Sequence, residues 1–144
     1  MKQLVAMKAF LVYRGNVLIV RESAKNPDGT NAGKYDVVGG RVKPGERFDE
    51  TLKREIHEET GIDAQLGKPF FVGEWRPVVR GEEWQIIATF FSCTSPTERV
   101  TLSRDHDEYQ WIDPIHYHEY PLIDNLAPVF EAYNVWHKKR TNSV

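Results

Sequence analysis

The sequence predicts an α/β chain of the α+β type, with a central mixed β-sheet covered by helices on its faces. Three observations predict it. β-rich runs fill the N-terminal and middle parts of the 144 residues, one long helical pattern interrupts them between Arg47 and Thr60, and a second, striped with aromatics, follows near the C-terminus. No period of about 20 to 50 residues repeats and no Pro/Gly/Ser-rich linker divides the chain. Residues 1–144 are therefore read as a single domain, long enough to bury roughly two-thirds of the surface its unfolded form exposes.

Leu4 to Tyr13 and Val17 to Arg21 are strand-like runs joined by Arg14-Gly15-Asn16, the short polar break of a hairpin turn. Ser23 to Lys34 is polar and contains Asn26-Pro27-Asp28-Gly29, which predicts a surface loop before a short strand, Tyr35 to Val38. The helix from Arg47 to Thr60 follows Pro44-Gly45 and stops at Gly61, a residue suited to the left-handed position after a helix end. Strands at about Pro69 to Val79 and Trp84 to Ser92 flank Arg80-Gly81-Glu82-Glu83, and another runs through Tyr109 to Ile112. After Asp113-Pro114 come a short helix and a longer one from about Asn125 to Lys139. There Leu126, Val129, Phe130, Tyr133 and Trp136 recur at helical spacing and are read as core.

At about 100° per residue, Phe48, Leu52 and Ile56 fall within an arc about 80° wide, the face expected to pack on the sheet, while Lys53 and His57 point to solvent. Glu59 falls inside the apolar arc, with Glu55 and Glu58 beside it. Carboxylates three and four residues apart on a helix repel, and partial burial raises the cost. Arg54 reaches Glu58 at the i, i+4 spacing, yet one guanidinium does not neutralise three carboxylates. A hard divalent cation, Mg²⁺ or Mn²⁺, does. The same residues also fit a charged helix whose glutamates turn to solvent.

Composition removes several function classes. A net charge of −2 gives no general attraction to nucleic acid polymers, and the one basic run, Lys138-Lys139-Arg140, suits a helix C-terminus. The lone Cys93 excludes an internal disulfide and a thiolate metal site, and no apolar run reaches spanning length. The expectation is a soluble, cytoplasmic protein, monomer or homodimer, whose partner is a small polyphosphate.

The stretch from Gly40 to Ile62 has Gly40, five residues, Glu46, seven residues, and then Arg54-Glu55-Ile56-His57-Glu58-Glu59-Thr60-Gly61-Ile62. It resembles the Nudix box at every specified position. A chance match in a chain this long is on the order of one in ten million. The resemblance implies a Nudix-like α/β/α sandwich with a central mixed β-sheet. It implies that Glu55, Glu58 and Glu59 bind Mg²⁺ or Mn²⁺, with the Gly40 carbonyl as a further ligand, and that Glu46, Arg54 and Gly61 support the box. Val38 stands where the family often has proline, and Tyr35 where tryptophan is frequent.

The chemistry implied is hydrolysis of a phosphoanhydride bond in a nucleoside diphosphate linked to another moiety. Cations on the diphosphate and a base for water are needed. Glu55 and Glu59, aided by Arg54, are the expected catalytic residues. Glu108 in Asp105-His106-Asp107-Glu108 is the expected additional base, with Glu82 and Glu83 as competitors, while His106 is read as exposed. Tyr35, Trp84 and Arg76 are expected to bind substrate, and Trp75, Trp111 and Arg80 share the same chemistry. A nucleoside triphosphate giving a nucleoside monophosphate and pyrophosphate is the favoured substrate. Pro77, fifteen residues beyond Ile62, resembles the ADP-ribose subgroup, so an ADP-ribose or nucleotide-sugar pyrophosphatase is the alternative. A catalytically silent nucleotide-binding module and an enzyme of capped or triphosphate RNA ends complete the set.

Overall fold

The computed structural model describes residues 1–26, 29 and 31–142. Pro27, Asp28 and Thr30, on which part of the predicted loop turn rests, lie outside the described residues. The chain forms strands β1 (Lys2–Tyr13), β2 (Asn16–Glu22), β3 (Tyr35–Asp36) and β4 (Val38–Arg41), then helix α1 (Phe48–Thr60). Strands β5 (Gln65–Trp75), β6 (Val78–Val79), β7 (Glu82–Thr94) and β8 (His106–Ile112) follow. Two 3-10 turns, Pro114–Glu119 and Asp124–Leu126, lead into α2 (Ala127–Asn142).

The sheet runs β3-β2-β1-β7-β5, with β8 also on β2, β4 on β1 and β6 on β7. It is mixed because β1 and β7 are parallel, from Lys2 opposite Trp84 to Val12 opposite Thr94, while the other pairings are antiparallel. β1 divides its other edge. It meets β2 at Val12↔Val17 and Tyr13↔Asn16, then β4 from Ala9↔Val38 to Ala6↔Arg41. That division carries β4 and the segment after it into the centre of the sheet.

Each face has its own core, as period-two alternation requires. On one side Phe10, Val17, Ile19 and Phe90 pack with Phe130 and Tyr133 of α2; the Phe10 ring lies 4.6 Å from Phe130 and 5.0 Å from Tyr133. On the other, Leu11, Leu18, Val20 and Val38 pack with Leu52 and Ile56 of α1. Burying each of those two helix side chains contributes about 1.5–3 kcal/mol. The layers are the predicted helix, mixed sheet and helix.

Several readings change. A strand the sequence did not predict, β4, continues through Gly39-Gly40 to Arg41, and the helical short segment after Pro114 is a 3-10 turn. Phe48 is not a core residue: it stays 49% exposed, at the first turn of α1, stacking on Phe91 at 5.8 Å. No helix among the described residues is long and apolar enough to cross a membrane.

Candidate active site

The site is built where α1 crosses β4, and the glycine pair makes the crossing close. At Gly39, φ is +136° and a Cβ would lie 2.3 Å from the Met7 carbonyl oxygen. At Gly40 a Cβ would stand 2.5 Å from the Glu55 carboxyl carbon. Side chains at either position would exclude what now occupies the space. The pair is a bare floor on which Glu55 and Glu59 lie, and the Gly39 N–H donates to Glu59 Oε2 at 2.7 Å.

Arg54 organises one side of this floor. Its Nε donates to Glu46 Oε2 at 2.8 Å and its Nη2 to Glu46 Oε1 at 3.0 Å, the paired geometry a guanidinium favours. Its Nη1 reaches Glu55 at 2.9 Å and Glu58 at 3.2 Å. Glu46 also accepts from the Thr51 hydroxyl at 2.6 Å and the Lys43 N–H at 3.2 Å. These bonds, Arg54 first and Thr51 next, bring its pKa down to about 2. Glu46 hydrogen-bonds Thr51 and Arg54 of the helix and the Lys43 backbone of the loop before it. Gly61, at φ 73°, ends α1 and its N–H donates to the His57 carbonyl at 2.8 Å.

Glu59 has a different environment. Burial pushes its pKa up to about 8; Lys8 and the Gly39 N–H oppose the shift, and Glu55 and Asp36 add to it. Its side chain is 15% exposed, whereas that of Glu58 is 55% exposed. The three glutamates do not converge as the helical wheel suggested. Glu59 turns to the glycine floor, Glu58 to solvent and Arg54. Among the described residues, no three carboxylate, imidazole or thiol side chains are gathered about one point. The donors are nonetheless hard oxygens against a floor without side chains, which suits a hard divalent cation.

Three residues that sequence reasoning passed over complete the group. The Lys8 ammonium, 12% exposed, bonds Asp36 at 3.2 Å. His106 is 13% exposed, with Nε2 3.9 Å from Glu59 Oε1 and a buried Nδ1 that has no hydrogen-bond partner among the described residues. Burial, then Lys8, lowers its pKa. The expectation of an exposed His106 is thus corrected, and the cause is a register shift in β8. Glu108 stands opposite Arg21, but His106 stands opposite Glu22, so the bulge turns His106 to the α1 face. Lys8 did leave a signal, as the charge that breaks the apolar run of β1.

Glu108 is the predicted catalytic residue that the fold does not bring to this group. It sits across from Arg21, on the α2 face, and accepts from that guanidinium at 2.8 Å. Tyr35 is likewise corrected as a substrate contact: it is 3% exposed in the α2-side core, its hydroxyl accepting from Gln110 at 3.0 Å. Trp111 is held in place by its indole N–H, which donates to the Glu98 carbonyl at 3.0 Å.

Arg76 and Trp84 line a cleft of about 1110 Å³, together with Trp75. Lys8, Asp36 and Gly40 line the same cleft, so it reaches the glycine floor, where the Glu55 carboxyl lies against Gly40. The Trp84 indole N–H is buried there with no acceptor among the described residues, and the Lys2 ammonium lies 5.2 Å from the ring centroid. Arg76 is paired with Glu74 at 3.1 Å.

Comparison with known proteins bears on this arrangement. Residues 2–133 match the family described as NUDIX domain. The nucleoside triphosphatase NudI of Escherichia coli K12 is 34% identical over 99 residues, covering 62% of this chain and 70% of that protein. The crystal structure of the MutT protein from Methanosarcina mazei Go1 has a TM-score of 0.85 at 29% identity, covering 96% of this chain and 97% of that one. The solution structure of the E. coli ORF135 protein has a TM-score of 0.70 at 26% identity, covering 99% and 96%. A match that runs from the first strand into the last helix puts the chain in the Nudix family, as a hydrolase of phosphoanhydride bonds in a class that generally needs divalent metal ions.

Proposed function

We propose that the chain hydrolyses nucleoside triphosphates to a nucleoside monophosphate and pyrophosphate, with Mg²⁺ or Mn²⁺. The observation that carries this reading is that the cleft lined by Trp75, Arg76 and Trp84 reaches Gly40, against which the Glu55 carboxyl lies. A diphosphate over the floor leaves its nucleoside within reach of indole rings suited to stacking on a base. The likeness to a nucleoside triphosphatase supports the same substrate class.

Glu55, Glu59 and the Gly40 carbonyl would hold the metal, and Glu58 would join them by turning in from its place on Arg54. When bound, it neutralises the diphosphate oxygens and acidifies a water. Arg54 fixes the Glu55 rotamer. Water oxygen attacks phosphorus, the bridging P–O bond breaks with pyrophosphate as leaving group, and the water's proton passes to one of the two carboxylates on the floor. Glu108, the base expected from another loop, is instead tied to Arg21.

A product assay over nucleoside triphosphates, ADP-ribose, sugar nucleotides, dinucleoside polyphosphates and coenzyme A tests the reading. Pyrophosphate release from a triphosphate is expected. Preferred turnover of ADP-ribose or a nucleotide sugar would replace the substrate class. Nucleotide-induced thermal stabilisation without turnover of any compound would make the chain a binding module.

A further inference from the structure

We infer that Lys8 is a substrate-positioning residue whose ammonium takes phosphate oxygens of the diphosphate where the carboxylate group opens into the cleft. The inference rests on the diphosphate chemistry proposed above. A protonated lysine has three N–H donors. That of Lys8 has one acceptor among the described residues, Asp36 at 3.2 Å, although its side chain is only 12% exposed. A nearly buried ammonium with two donors unanswered is costly unless an acceptor arrives.

Its surroundings say which acceptor. Lys8 lies opposite Gly39 in the β1–β4 pairing and lines the cleft beside Gly40, so its ammonium borders the part of the cleft that reaches the glycine floor. Burial works against its charge, but Asp36, Glu59 and Glu55 outweigh that effect and hold its pKa above the ordinary value. The group therefore stays cationic at neutral pH. It complements an anion of high charge density, and the cleft it borders has the size of a ligand site. Asp36 fixes the ammonium by one bond and leaves the others directed elsewhere.

The test uses Mn²⁺ alone and inorganic pyrophosphate as probes, each followed by calorimetry on the full chain. Lys8→Met is expected to weaken pyrophosphate binding to the Mn²⁺-saturated protein about tenfold, a loss of about 1.4 kcal/mol. Mn²⁺ affinity should be unchanged or tighter, because a cation near Glu59 has gone. Lys8→Arg should recover most of the pyrophosphate affinity. Unchanged pyrophosphate affinity, or equal loss of Mn²⁺ and pyrophosphate binding, would overturn the role; the second result would make Lys8 a brace for the carboxylates. If Lys8→Met loses its near-ultraviolet dichroism, the Lys8→Met/Asp36→Asn double variant, which also removes the partner charge, carries the same measurement. A wild-type chain that binds neither probe would sink the proposed function itself, a result distinct from any failure confined to the variants.

Discussion

Glu46 and Glu59 each keep 15% of their side-chain exposure, yet their pKa values move in opposite directions, to about 2 and about 8. Equal exposed area hides unequal depth and unequal company. Glu46 sits in the loop before α1 and accepts from Arg54, Thr51 and Lys43; Glu59 lies deeper between helix and sheet and, among the described residues, accepts from Gly39 alone. The first carboxylate has its partners within the fold. The second is held at a position whose charge the fold does not fully answer, which is what a binding residue requires.

The sharpest way to break this contrast is Glu59→Gln. Metal-dependent kcat/KM should fall by about a thousandfold, since a charged ligand is lost at constant volume. The melting temperature of the metal-free protein at neutral pH should hold or rise, because the amide is neutral without having to take up the proton that the buried carboxyl must keep. An equal loss of activity and stability would put Glu59 with Glu46 as a structural residue.

Gly40→Ala tests the floor between them. The added methyl would meet the Glu55 carboxyl, so Mn²⁺ affinity measured by calorimetry should drop about 10- to 100-fold, with the fold retained. Unchanged affinity would show that Glu55 can leave the glycine freely.

The smallest effects are in pH dependence, and they carry opposite signs. The folded pKa of Glu46 is depressed from 4.5 to about 2, so its stabilisation is present above pH 4.5 and lost as pH falls toward 2. Glu46→Gln should flatten that acid limb and lower the melting temperature by about 3–6 °C at neutral pH. The folded pKa of Glu59 is raised from 4.5 to about 8. The folded chain therefore keeps a proton that the unfolded chain releases, and metal-free stability should fall as pH rises from 4.5 to 8. Glu59→Gln should remove that decline; thermal melts across pH in chelator would register both slopes.

What was legible in the sequence follows the same division. The box spacing predicted α1, its stop at Gly61, and the neighbourhood of Glu46, Arg54 and Glu58, because those contacts are local along one helix and its entry loop. The wheel also placed Glu59 on the packed side. Partners of Glu59 come from far away: Gly39 on an unpredicted strand, Lys8 through the β1–β4 register, and His106 through a bulge in β8. Register and bulges depend on the neighbouring strand, so a wheel or an alternation count cannot supply them. The same limit explains Glu108, whose place in an acidic run before the strand through Tyr109 gave no hint of Arg21 across the ladder. Tyr35 was misread because an aromatic that suits a base also suits a core.

The parallel pairing of β1 with β7 has a consequence for the order in which the molecule is made. On the ribosome the box helix and its glycine floor emerge long before Thr94, the last residue of the strand that completes β1. The β1–β2 hairpin and β4 are assembled from nearby segments, but one edge of β1 waits for synthesis to pass the middle of the chain. A nascent chain stalled before β7 would carry every specified residue of the box and still expose an unpaired strand edge, inviting association with its neighbours.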